Sequence, residues 1–137
     1  MRWQSRHNIV NRTYDHMTQA LSDQGLTAAL AVLNARVPQR FSAVYRLAEG
    51  KLINVAFIDK MAKPLPDHLM SVPDLAGHEF HTPKAIPNLY FAVPLVSIEG
   101  KRVGTICHFD TVSKPLPDED FELLHLAARV FLTSLPR

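Results

Sequence analysis

The chain has 137 residues, 47% of them apolar and 20% charged, and its formal net charge is +2. This composition is typical of one globular domain that supports its own core, and a single cysteine, Cys107, excludes a fold built on internal disulfides. The dispersed basic residues do not indicate a nucleic-acid surface, and the lack of an apolar run of signal-peptide or membrane-spanning length predicts a cytoplasmic protein with no membrane partner.

Two helices are predicted in the first third of the chain. The first, at about Thr13–Gln24, has apolar residues spaced three and four apart on one face, and Gly25 is a typical helix C-terminal signal. The second, at about Thr27–Arg36, is ended by Pro38. Its apolar stripe is formed by Leu26, Ala29, Leu30, Leu33 and Val37.

Four strands are predicted next, in two hairpins. The first hairpin joins Phe41–Leu47 to Lys51–Ile58 through a tight turn at Glu49 and Gly50. The second joins Tyr90–Ile98 to Arg102–Phe109, and Pro94 indicates a bulge or an edge position in it.

Between the hairpins, residues 60–87 contain several prolines and are predicted to be mostly loop, with a short helix at about Pro66–Ser71. A loop of this length inside a compact domain is often functional.

The last helix is predicted to begin at Pro117–Asp120, where acidic side chains suit a helix N-terminus. Its apolar residues surround so much of the helix that we expect it to pack on more than one partner. The element order of helix, helix, hairpin, loop, hairpin and helix predicts an α+β fold with an antiparallel sheet.

Two sequence motifs resemble the GAF domain, a sensory fold built on a central antiparallel sheet. The first motif runs from Leu30–Arg36 into Arg40–Arg46 and is similar to the helix that enters the first strand of small bacterial GAF proteins. The second combines Val93-Pro-Leu95, Glu99-Gly100 and Val103–Asp110 with the start of the last helix, Pro117–Leu124. The resemblance covers roughly residues 20–135.

The resemblance implies a GAF/PAS-like fold for the single domain 1–137, with residues 1–24 as a helical extension and 25–135 as the core. It implies that the N- and C-terminal helices cover one sheet face and that the middle loops form a small-molecule pocket on the other. It also suggests a homodimer formed through the terminal helices.

Three activities found in branches of this family are not expected here. Cyclic-nucleotide binding uses an Asn-Lys…Phe…Asp-Glu signature, which Ser113-Lys114 and Asp118-Glu119 do not reproduce. The free methionine sulfoxide reductase branch uses several cysteines, and Cys107 has no resolving partner. Bilin attachment uses a Cys-His pair in a helical loop, whereas Cys107 lies in a predicted strand.

The candidate site is a set of ligand-binding side chains, with no catalytic residue and no metal ligand assigned. The sequence His78-Glu79-Phe80-His81 places two imidazoles three residues apart near a carboxylate, which would hold a metal only if a third ligand such as His68 or Asp74 converged, and the spacing matches no established zinc motif. The alternatives for this pair are solvent-exposed or core-capping histidines and the polar lining of a ligand pocket. Cys107 and His108 are neighbours in a strand and should point to opposite faces, so they do not form a nucleophilic dyad. The candidate ligand-binding residues are Phe57, His78, Phe80, His81, Tyr90, Cys107, Phe109 and Asp110.

Three functions are compatible with the sequence. The first is a non-catalytic module that senses an unidentified small organic molecule, needs no cofactor and reports to a separate signalling partner. The second is an interaction or dimerisation scaffold whose pocket has closed. The third is a redox or metal-assisted enzyme that uses Cys107 or the histidines.

Asp110 has a second interpretation besides ligand binding, as a turn-making side chain that hydrogen-bonds the backbone.

Overall fold

The computed structural model of the protein describes residues 2–61 and 89–135, with side chains from Val10 onward. The described helices are α1 (Arg2–Gln24), α2 (Leu26–Arg36) and α3 (Asp118–Phe131), with a short 3₁₀ turn at Leu132–Ser134. The described strands are β1 (Phe41–Ala48), β2 (Lys51–Asp59), β3 (Tyr90–Val96) and β4 (Arg102–Phe109). The predicted short helix at 66–71 lies outside the described residues. Within those ranges, no helix is long and apolar enough to cross a membrane.

The first helix is longer than the sequence pattern predicts, because α1 begins at Arg2 rather than at about Thr13. Its additional turns contain few apolar residues, but Val10 is buried and packs into the main core. Helix α1 ends as predicted at Gly25, whose φ of 102° suits glycine. The Gly25 N–H donates to the carbonyls of Ala20 and Leu21, each at 3.1 Å.

The four strands form one antiparallel sheet in the order β2-β1-β4-β3, so the two predicted hairpins join through a β1–β4 pairing. Glu49 and Gly50 both have positive φ, 52° and 77°, and form the predicted two-residue turn between β1 and β2. Strand β3 lies at an edge of this sheet, as Pro94 indicated, but it ends at Val96 rather than at Ile98.

The main core lies between the helices and one face of the sheet. On this face Val44, Ala56, Val93 and Ile106 form a row across the four strands and pack against buried side chains of α2 and α3. The ring of Phe121 in α3 meets Phe91 in β3 edge-on, with 6.2 Å between the ring centroids. The layered arrangement of helices on one face of an antiparallel sheet confirms the predicted α+β fold.

The two central strands approach closely at Gly104. A Cβ atom on this residue would lie 2.2 Å from the carbonyl oxygen of Tyr45, which is backbone and has no freedom to rotate away. Gly104 in β4 is therefore required for the β1–β4 pairing, and this pairing fixes the positions of Tyr45 and Cys107 on the opposite face of the sheet.

Candidate functional site

A second apolar cluster lies on the sheet face that points away from the helices. Side chains alternate along a strand, so Phe41, Ala43 and Tyr45 of β1 share this face while Ser42 and Val44 face the helices. The five buried members of the cluster are Phe41, Ala43, Tyr45, Cys107 and Phe109. Leu52, Phe57, Tyr90 and Ala92 are half-buried against them.

The middle of this face is a row of small side chains. Ala43 pairs with Cys107, and Cys107 pairs with Ala92, so three small residues lie side by side on β1, β4 and β3. We call this row the trough floor. It is bounded by larger side chains in the rows before and after it, each two residues away along the strands, or roughly 6.6 Å.

One wall of the trough is aromatic. The rings of Phe41 and Phe109 stack with their centroids 5.0 Å apart, and Tyr90 continues the row at 6.3 Å from Phe109. Phe57 of β2, which is paired with Ala43 of β1, closes one end of the trough. Its ring centroid lies 5.8 Å from that of Phe41 and 6.4 Å from that of Phe109. The other wall is formed by Tyr45 and Thr105, which are paired across β1 and β4.

Two tyrosine hydroxyls reach the trough from opposite walls. The hydroxyl oxygens of Tyr45 and Tyr90 are buried, and neither has a hydrogen-bond partner among the described residues. The Tyr90 hydroxyl lies beside the Cys107 thiol, which is only a weak hydrogen-bonding group. Burial, and secondarily the neighbouring thiol, raises the pKa of both phenols well above the usual value, so both stay protonated at neutral pH.

Cys107 lies at the centre of the trough floor and is fully buried. Burial raises the pKa of its thiol to about 12, an effect that contacts with Tyr90 and the Ala43 backbone only partly offset. Since the thiolate is the reactive form of cysteine, this environment suits a small neutral group in a binding surface better than a nucleophile.

Asp110, which follows β4, anchors the backbone around it. Its Oδ2 accepts from the Arg40 N–H at 2.9 Å and from Lys114 Nζ at 3.0 Å, while its Oδ1 accepts from the N–H groups of Thr111 and Val112 at 2.6 Å and 3.4 Å. Burial by itself would raise the pKa of Asp110, but these hydrogen bonds outweigh burial and lower the pKa. This pattern agrees with the turn-making interpretation, and Asp110 lies outside the aromatic cluster.

A buried polar chain, not foreseen from the sequence, lies on the helix side of the sheet. Asn34 Nδ2 of α2 donates to Ser42 Oγ at 2.8 Å, and Ser42 Oγ lies 2.5 Å from His108 Nδ1. Burial, and secondarily Lys60, lowers the pKa of His108 to about 3, so the imidazole is neutral. In the tautomer that carries its proton on Nε2, Nδ1 accepts from the serine hydroxyl. The only sequence signal was strand alternation, which places His108 on the face opposite Cys107, as predicted.

The structure brings together four of the predicted ligand-binding residues: Phe57, Tyr90, Cys107 and Phe109. It also adds Phe41, Ala43, Tyr45 and Ala92, which the sequence analysis did not select. His78, Phe80 and His81 lie outside the described residues, as do His68 and Asp74, so the alternatives of metal binding and pocket lining stay predictions. In the part of the chain that the structure describes, no group of three His, Cys, Asp or Glu side chains is arranged to hold a metal ion.

This arrangement of helices and sheet is the fold of GAF domains. A protein from Burkholderia vietnamiensis described as a GAF sensor superposes with a TM-score of 0.64 at 14% identity, over 94% of each chain. The GAF domain of a sensor histidine kinase from Pseudomonas syringae pv. tomato superposes with a TM-score of 0.61 at 18% identity, over 95% of this chain and 86% of that one.

Enzymes share the fold as well. A type II free methionine-R-sulfoxide reductase from Thermoplasma acidophilum superposes with a TM-score of 0.54 at 20% identity, over 88% of this chain and 93% of that one. No protein-family model and no curated protein sequence matches the chain significantly. The comparisons therefore establish the GAF fold, which carries both sensors and reductases.

Proposed function

We propose that this chain is a non-catalytic binding module that takes up a small organic molecule over the trough and signals its presence to a separate partner protein. The observation that carries the proposal is the trough itself: a floor of Ala43, Cys107 and Ala92 between walls of aromatic side chains. Small-molecule sites are typically apolar and aromatic with a few polar groups that orient the ligand.

The composition of the sheet face that carries the trough supports a binding role over a purely structural one. The helix side already supplies a core of aliphatic and aromatic side chains. The trough side holds a second cluster in which two buried hydroxyls lack partners among the described residues. An unpaired buried hydroxyl costs about 1–3 kcal/mol, so a purely structural core would favour phenylalanine at these positions.

An enzyme that uses Cys107 is a weaker candidate. A thiol redox cycle needs a reactive thiolate and a group that resolves the oxidised sulfur. Cys107 is the sole cysteine of the chain, and burial raises the pKa of its thiol to about 12. The presence of sensor proteins among the structural neighbours also favours binding.

The proposal includes a route for the signal. Helix α3 packs on β3 and on α1, so a ligand that displaces β3 would alter the contacts between the terminal helices. We propose that these helices form a homodimer whose packing changes on binding. A ligand that binds one packing better than another shifts the population by that difference in affinity.

Native mass spectrometry tests the proposal on protein purified from its own cells, before and after denaturation. We expect a small molecule that is released only on denaturation. Ala92→Leu fills the trough floor from the edge strand and should abolish retention, whereas Val96→Leu, an exposed change on the same strand, should not. A wild-type protein that carries no molecule and binds none from a metabolite extract would overturn the proposal, as would equal retention by the two variants.

A further inference from the structure

The two tyrosine hydroxyls at the trough indicate the chemistry of the ligand, in an inference that rests on the proposed function. Tyr45 is 1% exposed and its hydroxyl oxygen is buried without a partner among the described residues. The hydroxyl of Tyr90 on the opposite wall is also buried and has only the weakly hydrogen-bonding Cys107 thiol beside it. Such groups are rare in native proteins because each forfeits a hydrogen bond that water would supply.

The two tyrosines flank the trough floor from opposite sides. Tyr45 lies in the row on one side of Cys107 and Tyr90 in the row on the other, and both belong to the cluster packed on this face of the sheet. Two phenols that flank one row of small side chains can both donate to a ligand oxygen with two lone pairs that lies over this row. A carbonyl oxygen is such an acceptor.

The charge of the surroundings limits the ligand further. Asp59 shares the face with Phe41 at the end of β2. It is held by Arg40 through hydrogen bonds of 2.7 Å and 3.0 Å, so these opposite charges neutralise each other. No side chain of the described trough floor or walls carries an unpaired charge at neutral pH. A buried anion without a cationic partner is strongly disfavoured.

We infer that the ligand lays a flat, uncharged ring system over Ala43, Cys107 and Ala92 and presents a carbonyl-type oxygen to the hydroxyls of Tyr45 and Tyr90. The stacked rings of Phe41 and Phe109 favour a planar group. The two phenols act as donors throughout the physiological pH range, since their pKa values are raised.

Three probes of nearly equal shape test this inference: acetophenone, α-methylstyrene, which has a methylene group in place of the carbonyl oxygen, and benzoate, which is an anion. Binding is measured by NMR titration of the isotope-labelled protein. We expect acetophenone to bind at least about tenfold more tightly than either of the other two, because only acetophenone satisfies both donors without burying a charge.

The tyrosines supply matched variants. Tyr45→Phe and Tyr90→Phe should each reduce the preference for acetophenone over α-methylstyrene severalfold, while Tyr14→Phe on α1 should leave it unchanged. Tyr45→Phe removes only an unpartnered hydroxyl, so the ligand-free variant should unfold at a higher urea concentration than the wild type. This second readout does not depend on any probe.

Each other outcome contradicts the inference. Equal binding of acetophenone and α-methylstyrene would show that the hydroxyls do not select the ligand, and tighter binding of benzoate would indicate an anionic ligand. Failure of all three probes would overturn this ligand class. The proposed function is judged separately, since its mass-spectrometric test detects a bound molecule of any class.

Discussion

Ser42 and His108 stand directly opposite each other on the central strands, with Ser42 Oγ 2.5 Å from His108 Nδ1. Both side chains are almost fully buried on the helix side of the sheet. A serine beside a histidine is a familiar catalytic pair, but here Asn34 donates to the serine from α2 and neither side chain is open to a substrate. The pair links α2 to the sheet.

The buried imidazole predicts acid sensitivity. The pKa of His108 is lowered by burial to about 3 in the folded protein, from 6.5 as its ordinary value. Stability from this group is therefore fully present above about pH 6.5 and is lost as the pH falls towards 3, because only the unfolded chain takes up the proton. We expect the free energy of unfolding to fall by up to about 1.4 kcal/mol per pH unit in this window.

Urea denaturation between about pH 7.5 and pH 4 measures this dependence, with His108→Gln as the comparison. The glutamine variant should be less stable near neutral pH, but its stability should decline less steeply on acidification. An equally steep decline in both proteins would show that other groups control the acid response.

Gly104→Ala should disrupt the pairing of the central strands. The added Cβ would lie 2.2 Å from the Tyr45 carbonyl oxygen, so β1 and β4 must separate. We expect a loss of more than about 2 kcal/mol in the free energy of unfolding, measured by chemical denaturation. Gly50→Ala is the control: it has a positive φ but no atom near the new Cβ, and should cost about 1 kcal/mol. Similar losses in the two variants would refute the steric argument.

Asp110→Asn should weaken the junction between β4 and the loop that follows it. The substitution retains one acceptor oxygen but removes the negative charge of the carboxylate. This carboxylate pairs with Lys114 and accepts the hydrogen bond from the Arg40 N–H. A loss of about 2 kcal/mol is expected from urea denaturation at neutral pH. Because hydrogen bonds lower the pKa of Asp110 below 3.8, this contribution is present above that pH and disappears as the pH falls below it.

The same variant separates the two interpretations of Asp110. If the Asp110 carboxylate only holds the surrounding backbone, the Asp110→Asn variant should bind acetophenone with unchanged affinity at a temperature where it remains folded. A large loss of affinity without a loss of stability would instead identify Asp110 as a ligand contact, as the sequence analysis proposed.

Cys107 should react slowly in the native protein. Its thiol is buried and its pKa is raised to about 12, so the thiolate is scarce at about pH 7.5. We expect modification by a disulfide reagent to be at least about 100-fold slower in the native state than in concentrated guanidinium chloride. The Cys107→Ala variant, which has no thiol, measures the background reaction of the reagent. Rapid native modification would revive a redox role for this residue.

The sequence alone was sufficient for the local elements. Strand alternation and glycine-containing turns predicted both hairpins, and the turn residues Glu49 and Gly50 adopt the positive φ values that such a turn needs. These features depend on residues close together in the chain. The start of α1 was missed because its first turns carry little apolar periodicity and Val10 gains its burial from tertiary packing.

The tertiary structure decided which face of each strand meets the helices. Alternation separates Tyr90 from Phe91, but only the contact of Phe91 with α3 decides that Tyr90 shares the outer face of the sheet with Cys107, its diagonal neighbour in the β3–β4 pairing. The trough floor likewise depends on Ala43 meeting Cys107 across two central strands that are far apart in sequence. An alanine carries no local signal for a site, because its role here is to leave space between neighbours that only folding brings together.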